Sequence, residues 1–229
     1  MSKSSPKTAK AKAAFPKRIA SKSEDEAKKS RSKPVRKAAK KVAELDQELT
    51  HAAAQARHHP VTKVVAALSE LADQPPLIAA SMGTLAVGII GRRPDLARGG
   101  ARMLASHLLA TGAKLAVKRS IARTRPAAAL EKGEARFEIG KSGEHDETSF
   151  PSGHTAGAVA VAMAASRDIE EVGTPAALAA GAVAAAQAPA GNHYFTDVIA
   201  GAAVGWAAEA VVSAVFDRLE PKLEQVLPA

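Results

Sequence analysis

The sequence predicts an all-α fold, a bundle of membrane-type helices preceded by a disordered basic N-terminal tail. Three observations predict it. Residues 1–42 carry fifteen Lys/Arg against Glu24, Asp25 and Glu26, a local charge of +12, so everything after them is slightly acidic at −3. Gln74 to Gly91 runs for eighteen residues without a charge, which is the length a spanning helix needs. The apolar segments that follow are Ala- and Gly-rich, in a chain that is 46% hydrophobic but only 3% aromatic, so its helices pack closely through small side chains.

The tail is Lys/Ala/Ser/Pro-rich and nearly without large apolar residues. It cannot bury enough surface to offset the entropy of ordering. It also lacks the apolar core of a secretory signal. Beside a membrane domain such a tail is drawn to anionic headgroups by about 1 kcal/mol per cation near the surface. The competing reading is a nucleic-acid-binding arm, since clustered lysines bind phosphate polymers without sequence preference, and it ranks below the first. The absence of cysteine excludes disulfides, thiolate metal sites and cysteine catalysis. The domain division is therefore 1–42 as tail and 43–229 as helical domain.

From Val42 to Leu71 the apolar period is helical (Val42, Leu45, Leu49, then Val61, Val64, Val65, Leu68, Leu71), broken at Pro60. Lys63 and Glu70 interrupt it, which predicts an amphipathic helix at the edge of a bilayer. His51, His58 and His59 lack carboxylates at ligand spacing and read as surface residues; no metal or other cofactor is predicted.

Four further segments follow the charge-free run, which ends at Arg92-Arg93: Met103 to Val117, Pro151 to Ser166, Val172 to Asn192 and Tyr194 to Phe216. Gly201-x3-Gly205 predicts a close helix contact, and Glu209 is expected to face the bundle interior. Six core helices, the first poorly hydrophobic, are favoured. The connector Ala127–Thr148, with six acids and three bases, reads as a solvated loop or a substrate-selecting lid. Arg92, Arg93, Arg98 and Arg102 make their side cytoplasmic by the positive-inside bias, which places the chain as a multi-pass protein of the inner (cytoplasmic) membrane.

Three stretches carry chemistry. Lys118 and Arg125 are seven apart, so both project from one face if the helix continues that far, and Pro126 then ends it. Phe150-Pro151-Ser152-Gly153-His154-Thr155 stands directly before an Ala/Val run. Pro suits a first helical turn and Ser an N-cap, and Gly153 lets an anion approach the free N–H groups at the positive end of the helix dipole. His193 and Asp197 are four apart, the spacing at which a carboxylate holds one imidazole nitrogen and makes the other a usable nucleophile. Two cations, an anion-binding helix start and two histidines describe phosphoryl transfer through a phosphohistidine. Counting one crossing per helix puts all three stretches on the same, outward side.

Taken in order, Lys118-x6-Arg125-Pro126, Pro151-Ser152-Gly153-His154 and His193-x3-Asp197 resemble the three-part signature of the type 2 phosphatidic acid phosphatase family, whose fold is shared with vanadium-dependent haloperoxidases. The resemblance implies a six-helix core and a metal-independent membrane phosphatase acting on a lipid phosphate or pyrophosphate, phosphatidate-like or polyprenyl. It also implies roles: Lys118 and Arg125 hold phosphate oxygens, with Ser152 and the Gly153 N–H on the remaining edge. His193, oriented by Asp197, attacks phosphorus, and His154 protonates the leaving group and then activates water. One departure stands out. The family usually has Ser-Arg before the third stretch, where this chain has Ala186-Gln187, so Gln187 is expected to give one neutral hydrogen bond in place of a charged pair. Arg123 or Lys141 could swing in as the missing cation. The alternative reading of the same residues is a catalytically weakened binding or scaffold protein that keeps the pocket.

Overall fold

The computed structural model describes residues 37–140 other than 39, and 144–226, with side chains to residue 219. The chain divides into two units, 1–44 and 45–229. Most of the predicted tail lies outside the described residues. In its described part, residues 40–42 are already helical, so helix begins before the boundary that charge suggested. Lys and Ala are good helix formers, and Lys40 pairs with Glu44 one turn on at 3.6 Å.

The second unit opens with helical residues 45–54 (α1). It continues through α2 (Pro60–Ser69), α3 (Gln74–Ile90), α4 (Pro94–Lys118), β1 (Ile121–Arg123), α5 (Pro126–Lys132), β2 (Phe137–Ile139), α6 (Gly153–Asp168), α7 (Glu170–Ala186) and α8 (Phe195–Val226). Proline in the first turn opens α2, α3, α4 and α5, where its missing N–H removes no hydrogen bond. Helices α4, α6 and α8 pack against one another at the centre, with α3 on α4, α7 on α6 and α2 on α7. These six helices form the bundle.

Alanine makes the core. Ala156, Ala160 and Ala164 of α6 are completely buried, and α8 meets that face through Gly201 and Gly205. A Cβ at Gly201 would stand 2.5 Å from the Ser152 carbonyl oxygen, and one at Gly205 2.4 Å from that of Ala156. The small-residue face expected at Gly201-x3-Gly205 is thus the α8–α6 contact, and it seats the start of α6.

Charge locks the other end of the bundle. Glu209 is fully buried, as expected, and accepts from Arg167 and from the Ser213 hydroxyl. Arg102 was expected among cations facing one membrane side, yet it is 3% exposed, donating to Asp168 at 2.8 Å and Ser213 at 2.8 Å. Its place on the α4 face turned toward α6 and α8 explains the difference.

One further expectation changes. The connector 127–148 is not featureless: it contains α5 and β2, which pairs antiparallel with β1 in the register Ile121–Ile139, Ala122–Glu138, Arg123–Phe137. Among the described residues one helix, Phe195–Leu219, is long and apolar enough to cross a membrane, with Gln74–Ile90 the next apolar stretch. The 16-residue α6 is about 24 Å long at 1.5 Å per residue, short of a hydrocarbon layer of about 30 Å.

Gly201→Ala is expected to destabilise the fold by about 1–3 kcal/mol, because backbone rather than a movable side chain occupies the added volume. Thermal unfolding of the purified variant measures it, and a neutral Gly201→Ala would refute the contact.

Candidate active site

One backbone segment, Thr148 to His154, touches Lys118, His193 and Asp197. Lys118, the last residue of α4, donates from Nζ to the Thr148 carbonyl at 2.8 Å. His193 places Nδ1 2.6 Å from the Ser149 carbonyl. The Ser149 hydroxyl donates to Asp197 Oδ2 at 2.6 Å, and the Ser152 N–H donates to the Asp197 carbonyl at 3.0 Å. Gly153 and His154 then begin α6.

The helix start differs in detail from the expectation. Ser152 is the N-cap and Gly153 the first helical residue, so Pro151 stands one position outside. Ser152 is fully buried, and its Oγ accepts from the Thr155 N–H at 3.5 Å and shares a 2.9 Å hydrogen bond with Thr155 Oγ1. Its hydroxyl therefore caps the helix instead of reaching a ligand. The N–H groups of Gly153 and His154, which no helical carbonyl can take, are the donors left for an anion.

The first stretch is also rearranged. Helix α4 stops at Lys118 and β1 intervenes, so Lys118 and Arg125 do not share a helix face. Both nonetheless arrive at the same end of the bundle, near enough that each charge acts on His193. Arg125 donates from Nε to the His145 carbonyl at 3.3 Å, and its terminal nitrogens carry no protein partner among the described residues.

His193 is 2% exposed. Its Nδ1 partner is the Ser149 carbonyl, while Asp197 Oδ2 lies at 3.8 Å, outside hydrogen-bond range. A carbonyl accepts only, so Nδ1 carries the proton and Nε2 bears the lone pair. Burial pushes the imidazole down to about 4, with the nearby Asp197 opposing and the cations Arg125 and Lys118 reinforcing the shift. The ring is neutral at pH 7. Its contribution to stability is intact above the ordinary value of 6.5 and is lost as the pH falls to about 4, since the unfolded chain takes up a proton there that the folded one refuses.

Asp197 is fully buried and fully engaged: Oδ1 accepts from Arg123 at 2.5 Å, and Oδ2 from Ser149 and from the Tyr194 N–H at 2.9 Å. Arg123 also donates to Thr196 Oγ1 and to Asp46 of α1 and lies 3.9 Å above the Tyr194 ring. It is therefore a fixed anchor and not a cation free to swing in; Lys141 lies outside the described residues. Gln187, fully buried, donates its amide to the Val183 carbonyl at 3.0 Å and to Ser69 Oγ at 3.4 Å, while its own main-chain carbonyl accepts from the His193 N–H at 3.3 Å. The neutral phosphate contact expected of it is not formed this way. Ser149, Tyr194, Thr196 and Asp46 had no motif to mark them, because long-range packing alone brings them together.

His154, one-fifth exposed, has Nε2 3.6 Å from Glu70 Oε2. Glu70, Asp73 and His154 offer ligand atoms within 4.8 Å of one another, enough to hold a divalent cation, although both carboxylates are exposed.

A family model described as the PAP2 superfamily matches residues 99–221, more than half of the chain and all three stretches. The chain belongs to the PAP2 superfamily. Its bundle is similar to the crystal structure of LpxE from Aquifex aeolicus (TM-score 0.55, 22% identity, 73% of this chain and 93% of that one). It is also similar to a transmembrane PAP2-type phosphatidylglycerolphosphate phosphatase from Bacillus subtilis (TM-score 0.52, 19% identity, 78% and 87%). No curated protein matches this chain. The six-helix PAP2 fold expected from the motifs is thus the observed one, with the motif-bearing helix ends gathered at one end.

Arg123→Met should destabilise the PAP2 domain by about 3–5 kcal/mol, since it strands two buried carboxylates, Asp46 and Asp197. Denaturant unfolding tests this. A fully stable variant with selectively weakened phosphate binding would instead restore Arg123 as a ligand.

Proposed function

We propose that the protein is a metal-independent membrane phosphatase that hydrolyses a lipid phosphate or pyrophosphate through a phosphohistidine. The observation that carries the reading is the 2.6 Å contact of His193 Nδ1 with the Ser149 carbonyl, which leaves Nε2 as an unprotonated nucleophile at neutral pH.

His193 Nε2 attacks phosphorus while the bond from phosphorus to the leaving oxygen breaks, and that oxygen takes the electron pair. His154 protonates it, so an alcohol or a phosphate departs. Water then attacks the phosphohistidine, His154 takes its proton, the N–P bond breaks and inorganic phosphate leaves. Lys118, Arg125 and the Gly153 and His154 N–H groups balance the charge spread over the equatorial oxygens, the work a metal ion would otherwise do. Asp197 acts on His193 through Ser149 and by its charge.

A lipid substrate is supported by an apolar cavity of about 540 Å³ that runs along α6 from one turn beyond His154, lined among others by Leu68, Leu71, Ala158, Val161 and Val183. The structural neighbour named for phosphatidylglycerolphosphate points the same way. The long apolar α8 supports a place in the bilayer, and on this proposal the site, at the N-terminal end of α8, lies on the outer face. A lipid-phosphate-binding or scaffold role is the second reading, favoured by the neutral Gln187, whose amide is occupied elsewhere.

Phosphate release from a panel of lipid monophosphates and pyrophosphates, in detergent with EDTA, tests the proposal. The wild type should turn over, His193→Ala should lose about 10³-fold or more, and His154→Ala about 10²–10⁴-fold. The acid limb of kcat/KM due to His193 should fall near pH 4 rather than 6.5. No release from any lipid, with His193→Ala indistinguishable from wild type, would favour the binding role.

A further inference from the structure

We propose that Lys114 is a third phosphate-binding cation of this site, holding the substrate phosphate at the N-terminus of α6 in place of the charge that Gln187 does not supply. The inference deepens the phosphatase reading and rests on it.

Lys114 lies one turn before Lys118 on α4, so both ammonium groups project from one face. It is 7% exposed. Its side chain runs to the first residue of α6: a Cβ placed on Gly153 would stand 3.1 Å from Lys114 Nζ and 3.6 Å from its Cδ. Glycine at 153 is thus what admits the lysine to the helix start. Among the described residues Lys114 Nζ has neither a hydrogen bond nor an ion pair, unlike Lys118, Arg102 and Arg123, each of which is fixed by a named acceptor.

That position makes no sense for a structural cation. An ammonium on a side chain this enclosed calls for an acceptor, yet this one lies at the positive end of a helix, with Lys118 and Arg125 close by. Asp197, the buried carboxylate of the site, is occupied by Arg123, Ser149 and Tyr194. Asp73, the acid whose charge bears on Lys114, is exposed and forms no ion pair with it. A ligand that satisfies Lys114, Lys118, Arg125 and the Gly153 N–H at once is a tetrahedral dianion, the terminal phosphate of a lipid monoester or pyrophosphate.

The test uses the full chain in detergent, with orthovanadate as the phosphate mimic, and compares wild type with Lys114→Met and Lys114→Gln. If Lys114 holds the phosphate, both neutral variants lose at least tenfold in vanadate affinity and about 10²-fold in kcat/KM, while the Tm of the ligand-free protein is unchanged or raised, because an unpaired buried charge has been removed. Wild-type turnover with vanadate affinity and kcat/KM within twofold in both variants would overturn the role of Lys114 and leave the phosphatase reading standing. A fall in ligand-free Tm in both variants, in step with lost affinity, would make Lys114 a structural residue and overturn it as well. A wild type that neither releases phosphate nor binds vanadate would overturn both readings together.

Discussion

The buried carboxylate of Asp197 holds the Ser149–Ser152 backbone, and the rest of the site is hung on that backbone. One oxygen takes the Arg123 guanidinium, the other takes the Ser149 hydroxyl and the Tyr194 N–H, and the residue's own carbonyl takes the Ser152 N–H. Fixing Ser149 fixes the carbonyl that sets the His193 tautomer, and fixing Ser152 fixes the cap of α6. The carboxylate therefore controls the histidine from one residue away, by holding the group that touches it. In a low-dielectric interior each of these bonds is strengthened, and each missing one would be costly.

The two ends of the bundle use charge in opposite ways. Away from the site, Arg98 and Arg102 share Asp168 and Arg167 meets Glu209, so cations and anions match and tie α4, α6 and α8 together. At the site end, Lys114 reaches the first residue of α6 with Lys118 and Arg125 close by, while Asp197 is committed to Arg123 and Glu70 and Asp73 are exposed. Matched charge gives a rigid frame, and unmatched charge gives affinity for an anion. Between the two ends lies a core of alanine and glycine that lets α8 approach α6 to backbone contact and so brings His193 and Asp197 beside Gly153.

Much of this was legible in the sequence, because short-range patterns carry it. Proline starts, Ala/Gly-rich apolar runs and the Gly201-x3-Gly205 face fixed the helices, and three motifs marked Lys118, Arg125, Gly153, His154, His193 and Asp197, which the fold brings to one end. What escaped was decided by contacts between distant positions. The i,i+4 spacing of His193 and Asp197 suggested a direct bond, but the Ser149 carbonyl, forty-four residues from His193, takes that nitrogen. Arg123 looked like a spare cation until Asp46, seventy-seven residues away, joined Asp197 in holding it. Strand β1 could not be foreseen from three residues, and its presence ends α4 at Lys118. Lys114 belongs to none of the three motifs, and only the position of Gly153 across from it gives it a purpose.

The central claim is that residues far apart in the chain surround one tetrahedral anion. An experimental structure of the protein with bound orthovanadate tests it most directly. The metal is expected to be bonded to His193 Nε2, with its oxygens on Lys114, Lys118, Arg125 and the Gly153 N–H, and Asp197 still bound to Ser149. Vanadate seated elsewhere, or bound with His193 turned away from it, would contradict the account.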